Sequence, residues 1–298
     1  MYKKLIILIA FISIKGYTQL DRNLFSFEYT LAPISNNGID FSKTAIKLNI
    51  PTKLKKGKLF NSIGFNYSQL NYYDVNINDK DLEKFYGVNY GLTYMYPLSG
   101  KWKISTQGGI SIVSNLTNSI SSDDLLFRGG ITAIKKGGTI NKPSKFMFGL
   151  GYTTFSGMPR LLPIISYNKQ VNEKLSYRIG FPNTFTKYKF NQQKSLKFGL
   201  RLNGFYANLS NPVNATVTET SNKASFRTVS LGLEYNYWMS DIWAIFFKGT
   251  YSFYNKYELL DNNNNTTYDF GLEPRPYFST GIKLNLKNKF KNKKNDKQ

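Results

Sequence analysis

The sequence predicts an all-β chain closed into a transmembrane antiparallel up-and-down β-barrel of about fourteen strands, with twelve as the other possible count. Three observations predict it. Apolar and polar residues alternate with period two over stretches of about a dozen residues, longer than the ~5–6 of an ordinary strand and suited to the ~9–11 with which a tilted strand crosses a bilayer. Aromatics make up 16% of the chain, nearly all Tyr and Phe, while the mean hydropathy is slightly polar. A barrel reconciles these two facts, because only alternate residues of each strand meet lipid. Short and long connections also alternate along the chain: residues 51–57, 97–100, 136–143, 171–174, 191–195 and 239–241 are mostly short, with 136–143 moderately long, whereas 33–40, 72–84, 115–124, 208–224 and 255–275 are long, as short periplasmic turns and longer outer loops are.

The chain begins with a processing segment. Lys3 and Lys4 form a positive n-region, Leu5 to Ile14 an apolar core too short to span a bilayer, and Gly16 and Thr18 supply small residues for cleavage before Gln19. Residues 1–18 are therefore assigned to a cleavable signal peptide, 19–286 to the barrel, and 287–298 to a basic periplasmic tail expected to be disordered. The first strands carry Phe25, Phe27, Tyr29 and Leu31, then Ile46, Leu48 and Ile50, then Ile63, Phe65 and Tyr67 on one parity. The clearest hairpin runs from Phe85 to Tyr96, turns at Pro97 to Gly100 and returns from Trp102 to Ile112, with Tyr94, Tyr96 and Trp102 placed as an interfacial belt.

Next come strands with Phe127, Ile131 and Ala133, with Phe146, Phe148, Leu150 and Tyr152, and a weaker one from Leu161 to Gln170 that contains Pro163. Residues 174–191 form either one very long strand or a tight hairpin at Pro182-Asn183. The hairpin is preferred, because it gives an even strand count and sets Phe181 opposite Thr184 and Tyr177 opposite Tyr188. Leu196 to Tyr206, Val229 to Tyr237, Trp243 to Phe253 and Phe278 to Leu286 complete the set.

Composition removes several function classes. The chain has no His and no Cys, so imidazole acid–base chemistry, thiol nucleophiles, disulfides and imidazole or thiolate metal sites are unavailable. No catalytic residue, metal site or cofactor is assigned. The net charge of +22 would suit nucleic acid, but the charges sort by end of the barrel, and no nucleic-acid partner is expected. Twelve of the 18 acids fall in outer connections: Asp40, Asp74, Asp79, Asp81, Glu83, Asp123, Asp124, Glu219, Glu258, Asp261, Asp269 and Glu273. Lysines gather at the other end, at Lys53, Lys55, Lys56, Lys58, Lys135, Lys136, Lys142 and Lys145. Outer carboxylates that share divalent cations with lipopolysaccharide, and inner lysines that meet phospholipid headgroups, would account for this.

The final strand resembles the assembly signal of outer-membrane β-barrels, a polar residue, a glycine and two apolar residues at Ser279, Gly281, Leu284 and Leu286. It implies the barrel assembly machinery as a partner. It departs from that signal in not stopping at an aromatic residue. A recurring pattern of aromatic strand end, polar turn and apolar strand, at Tyr96 to Ile104, Tyr167 to Ile179, Tyr188 to Phe198 and Tyr235 to Ile245, resembles uncharacterised outer-membrane barrel families of Bacteroidota type. This likeness implies location in a bacterial outer membrane and carries no catalytic residues across.

Carrying the hairpin register onward sets Gly180 opposite Phe185, Arg178 opposite Lys187, Ser176 opposite Lys189, Lys189 opposite Lys197 and Phe185 opposite Arg201. One lumen wall would then hold Arg178, Lys187, Lys189, Lys197 and Arg201 with no acid among them, a candidate anion contact. Glu234 with Lys248, and Glu28 with Lys283, would pair elsewhere. A passive pore or uptake channel for small solutes with a mild anion preference follows from this wall and from a barrel wider than eight strands. A structural or surface-interaction barrel acting through its long outer loops is the alternative.

Overall fold

The computed structural model describes residues 23–33, 38–73, 80–214 and 219–285. The assigned signal peptide, the basic tail and Leu286 lie outside them, as do Asp74 and Asp79. Fifteen strands form: β1 (Phe25–Ala32), β2 (Ile39–Lys53), β3 (Lys58–Tyr72), β4 (Lys84–Pro97), β5 (Trp102–Ser114), β6 (Leu125–Gly138), β7 (Pro143–Thr153), β8 (Arg160–Gln170), β9 (Leu175–Phe181), β10 (Asn183–Lys189), β11 (Lys194–Asn214), β12 (Thr220–Trp238), β13 (Trp243–Leu260), β14 (Thr266–Asp269) and β15 (Arg275–Leu284).

Neighbours in sequence pair antiparallel from β1 to β13, β13 pairs with β15, and β15 pairs with β1. The result is a closed fourteen-stranded up-and-down barrel, with β14 a short addition to β13. Closure matters because a strand without a neighbour would expose its amide and carbonyl groups to an apolar surround, at several kcal/mol for each one left unsatisfied.

The expected alternation is what the walls show. Outward positions such as Ile63, Val88, Leu150, Ile165, Phe198 and Phe247 are exposed, whereas the opposite parity faces the lumen. Tyr94 and Tyr96 lie with ring centroids 6.2 Å apart near the β4–β5 turn, and Trp102 packs edge-on against Phe148 at 6.1 Å. Phe25, the first residue of β1, and Leu284, the last of β15, are ladder partners at the end that carries the short turns, so the long connections gather at the opposite, outer end.

Several of those long connections turn out to be strand. The expected loop at 208–224 is mostly the outer ends of β11 and β12, and β13 runs to Leu260. Asp40, Glu258 and Asp269 are thus strand residues at the outer end rather than loop residues. The inner connection at 136–143, expected to be moderately long, is shorter, because β6 continues to Gly138 and β7 begins at Pro143. At the outer ends of β11 and β12 residues such as Ser, Asn and Thr occupy both parities, and β6 ends in Lys136-Gly137-Gly138, so alternation fades there while the backbone ladder continues.

Gly281 has a plain packing reason. A Cβ there would meet the Phe27 carbonyl oxygen at 2.0 Å and the Phe246 ring at 2.7 Å, so the buried Phe246 ring needs this bare backbone beneath it. Gly281→Ala is expected to destabilise the barrel by about 1–3 kcal/mol through overpacking. Leu284→Asp, on the outward parity, is expected to abolish membrane insertion. Immunodetection of membrane fractions, with heat-modifiable gel mobility, checks both. Wild-type levels of both folded variants would contradict them.

Candidate functional site: a basic lumen beneath an outer lid

The β9–β10 hairpin forms, but in a register two residues from the expected one. Phe185 pairs with Arg178, Thr186 with Tyr177 and Lys187 with Ser176. The reason lies at the tip, where the Gly180 amide donates to Thr184 Oγ1 at 3.0 Å and that hydroxyl donates back to the Gly180 carbonyl at 3.0 Å. Gly180 has a φ of +147°, a conformation that suits a residue without Cβ.

The slip passes to the next ladder, where Lys187 pairs with Lys197, Phe185 with Gly199 and Asn183 with Arg201. The expected partners Lys189–Lys197 and Phe185–Arg201 are therefore not opposite one another. A shift of two preserves parity, so Arg178, Lys187, Lys189, Lys197 and Arg201 all keep the lumen-facing parity. Phe185 organises part of this group: Lys197 Nζ sits 4.2 Å and Arg178 Cζ 5.2 Å from its ring centroid. Arg178 Nε donates to Asn168 Oδ1 at 2.6 Å and its Nη1 to Asn183 Oδ1 at 3.1 Å.

The wall is not without an acid, however. Glu234 on β12 is the ladder partner of Lys197. It accepts from Arg201 at 2.6 Å and from Lys283 at 3.1 Å. Glu28 accepts from Lys248 at 2.7 Å. These pairings exchange the expected partners, Glu234 with Lys248 and Glu28 with Lys283. Each lysine reaches across one intervening strand where the inward residue is small. Lys283, the ladder partner of Ala244, passes over it to Glu234, and Lys248 passes Gly281, the ladder partner of Glu28. Both ammonium groups also lie over the Phe246 ring, at 4.7 Å for Lys248 and 5.1 Å for Lys283. Among the described strand residues, Glu28 and Glu234 are the acids on the lumen parity of the barrel proper.

Sequence reading did not reveal how the outer mouth closes. β11 and β12 extend for 21 and 19 residues, and β13 for 18, while β9 and β10 have 7 each. The outer ends of the tall strands lean across the mouth. Asn208 on β11 pairs in parallel with Ser114 on β5 of the facing wall, and the Asn115 amide donates to the Asn208 carbonyl at 3.3 Å. Beneath this lid lies an apolar cluster. Phe226 of β12 stacks on Phe41 of β2 at 5.2 Å and on Phe205 of β11 at 5.6 Å, and Phe205 meets Phe85 of β4 at 5.3 Å. Ile39, Leu70, Tyr257 and Leu259 are fully buried around them.

Above it, Glu258 is 1% exposed and bonds Arg227 Nη2 at 2.6 Å, Thr266 Oγ1 at 2.7 Å and the Lys256 ammonium. The β7–β8 turn folds in as well, where the Gly157 carbonyl accepts from Ser225 Oγ at 2.6 Å.

A carboxylate fastens the lid edge. Asp124, 2% exposed, accepts from the Ser121 amide at 2.7 Å and from Asn208 Nδ2 at 2.8 Å. Burial alone would raise its pKa, but donors from Ser121, Ser114 and Asn208 outweigh it and hold the carboxyl below its usual value. A depressed folded-state pKa stabilises above the unfolded value and is lost as pH falls through the folded one.

Among the described residues no group of three His, Cys, Asp or Glu side chains could hold a metal ion.

Two outcomes follow from these contacts. Asp124→Asn is expected to cost about 1–3 kcal/mol at the latch, and acid strong enough to fall below the usual carboxylate range should act on the native chain in the same direction. Nitroxide labels at positions 117 and 211, read by pulsed electron resonance, should move apart in both cases. Glu234→Gln, which leaves Arg201 and Lys283 without their counter-charge, is expected to cost about 3 kcal/mol, read by the denaturant midpoint of the refolded barrel.

Comparison with known proteins adds the following. No curated protein matches the chain. Solved structures that match include the NanC porin (10% identity, TM-score 0.40, covering 88% of this chain and 100% of that one). The KdgM porin matches at 8% identity with a TM-score of 0.36, covering 87% and 98%. The β domain of the Bordetella autotransporter BrkA matches at 10% identity with a TM-score of 0.34, covering 87% and 97%. Likeness at this level assigns no function. The family model described as a domain of unknown function, DUF6268, matches residues 25–285, from the first residue of β1 to just beyond β15, and the chain belongs to that family.

Proposed function

We propose that this protein is a non-enzymatic outer-membrane channel for small anionic solutes, with a mildly anion-preferring lumen and an outer lid that defines a closed state. The observation that carries the reading is the imbalance of charge on the lumen parity. Lys187 and Lys197 face one another across a ladder with Arg178 and Arg201 nearby, against Glu28 and Glu234, both of which already bond cations. Like charges opposite one another in a sheet are destabilising unless solvated or neutralised. A hydrated lumen that attracts anions relieves this strain. The apolar outer face and the tyrosine and tryptophan residues near the short turns support placement in a membrane, and export by the assigned signal peptide would bring the chain there. Assembly through the barrel machinery, and contact of the outer carboxylates with lipopolysaccharide, belong to the same proposal.

A lid with its own apolar core favours one second reading, a surface-interaction barrel that never conducts. Recordings in planar bilayers separate the two. The purified barrel should show openings with a modest anion preference, reduced by Arg178→Gln with Lys187→Gln and weakened at high salt through screening. Cation selectivity, or selectivity unchanged in the double variant, would overturn the anion reading.

A further inference from the structure

We propose that the cavity directly beneath the lid binds a small aromatic carboxylate, a single ring bearing one carboxylate group, held by Arg128 and Lys43 under a phenylalanine roof. The proposal rests on the channel reading above and deepens it by naming the class of anion and the place where it rests. Binding can be measured without conduction, so either reading can fail alone.

The first support is a pair of cations that the barrel leaves unmatched. A cavity of about 180 Å³ is lined by Lys43 of β2 and Arg128 of β6, with Asn66 of β3 and Asn89 of β4, and among the described residues no acid lines it. Neither Lys43 nor Arg128 enters an ion pair or a side-chain hydrogen bond among the described residues, and Arg128 Nε is buried without a partner. The acid whose charge reaches Lys43 is Glu28, and both of its carboxylate oxygens already bond Lys248 at 2.7 Å. In this the pair differs from the cations at the hairpin tip, where Arg178 bonds Asn168 and Asn183 and Arg201 bonds Glu234. The side-chain amides of Asn66 and Asn89 are likewise without hydrogen-bond partners among the described residues, and Ser111 Oγ, opposite Asn89 in the ladder, is buried and unbonded. Buried polar groups are ordinarily paired. Several unpaired ones gathered around one cavity, two of them cations, point to an anionic ligand with further polar atoms.

The second support is what covers these groups. Phe85 and Phe205, whose ring centroids lie 5.3 Å apart in the lid cluster, line the same cavity. The β7–β8 turn adds Phe155, whose carbonyl comes within 2.8 Å of where a Cβ on Gly204 would stand. Cations and aromatic rings thus meet in one chamber. Cations at membrane depth are costly, and are found facing a cavity where a counter-charge or water reaches them. A guanidinium fork matches the geometry of a carboxylate, and phenylalanine rings favour a second ring stacked or set edge-on against them. Size agrees, since an apolar cavity of about 150 Å³ holds benzene. Asn66 and Asn89 can both donate and accept, which suits a hydroxyl on the ring. An inorganic anion would leave the phenylalanines unused, and a neutral ring would leave Arg128 and Lys43 unmatched.

The experiment uses the full chain refolded in detergent and 4-azidobenzoate as a photoactivatable probe. Labelling should concentrate at Phe85, Asn89, Phe155 and Phe205, should be displaced by excess 4-hydroxybenzoate, and should resist acetate and inorganic phosphate at the same concentration. It should fall at least fivefold with the neutral probe 4-azidobenzamide. Lys43→Gln with Arg128→Gln should lower 4-azidobenzoate labelling at least fivefold while heat-modifiable mobility is retained. Should that variant not fold, Gly87→Leu fills the cavity from its wall, since a Cβ there meets nothing closer than 3.6 Å, and should abolish the label with both cations in place. Even labelling around the barrel, equal labelling by the neutral probe, displacement by acetate or phosphate, or full labelling of either folded variant would overturn the proposal. A barrel that prefers anions in planar bilayers yet shows none of this labelling keeps the channel reading and loses this one.

Discussion

The structure depends on one constraint, that a backbone ladder in an apolar surround must run unbroken around the barrel. Ladder closure at β1–β15 satisfies it where the first and last strands meet. Within the barrel wall, among the described strands, β10 and β11 are neighbours that differ threefold in length, with 7 and 21 residues. There the ladder stops early, and the tall strands find other partners. The outer end of β11 pairs with β5 across the mouth, and its flank receives the β7–β8 turn. Lid and low wall are two consequences of one mismatch in strand length.

Energetics divide along the barrel axis. The outer end is held by an apolar cluster that spans opposite walls, from Phe85 and Phe41 to Phe205 and Phe226, so its stability comes from burial and ring packing. The middle of the lumen is held by charge, where Glu234 joins Arg201 and Lys283, and Glu28 joins Lys248. Burial of such ions is costly unless every partner is present, which makes the two acids stability elements as well as limits on how basic the lumen is. The lid can therefore move only by giving up packed aromatic area, and the lumen can change charge only by giving up an ion pair.

Much of this was legible in the sequence. Alternation located the lipid-facing parity of nearly every barrel strand, and the Pro182-Asn183 hairpin was chosen correctly over a single strand. The two-residue slip there was not legible, because it follows from the Gly180–Thr184 hydrogen bonds, and period-two patterning is blind to an even shift. Partner exchange at Glu234 and Glu28 was missed because pairing was read between adjacent strands, whereas small residues at Ala244 and Gly281 let the lysines reach one strand further. The lid was hidden for another reason. Its inward residues, Phe205 and Phe226, sit in stretches where Ser, Asn and Thr blur the alternation, and the contact that makes a lid of them lies across the barrel from Ser114 to Asn208.

The central claim is that a basic lumen is closed by a lid that can open. Single-channel recording of the Ser114→Cys, Asn208→Cys chain tests it most directly, since these two residues are partners across the mouth and the chain has no native cysteine. The account predicts silence while the pair is bridged and anion-preferring openings once the bridge is reduced. Identical conductance in the bridged and reduced states, or openings that prefer cations, would contradict it.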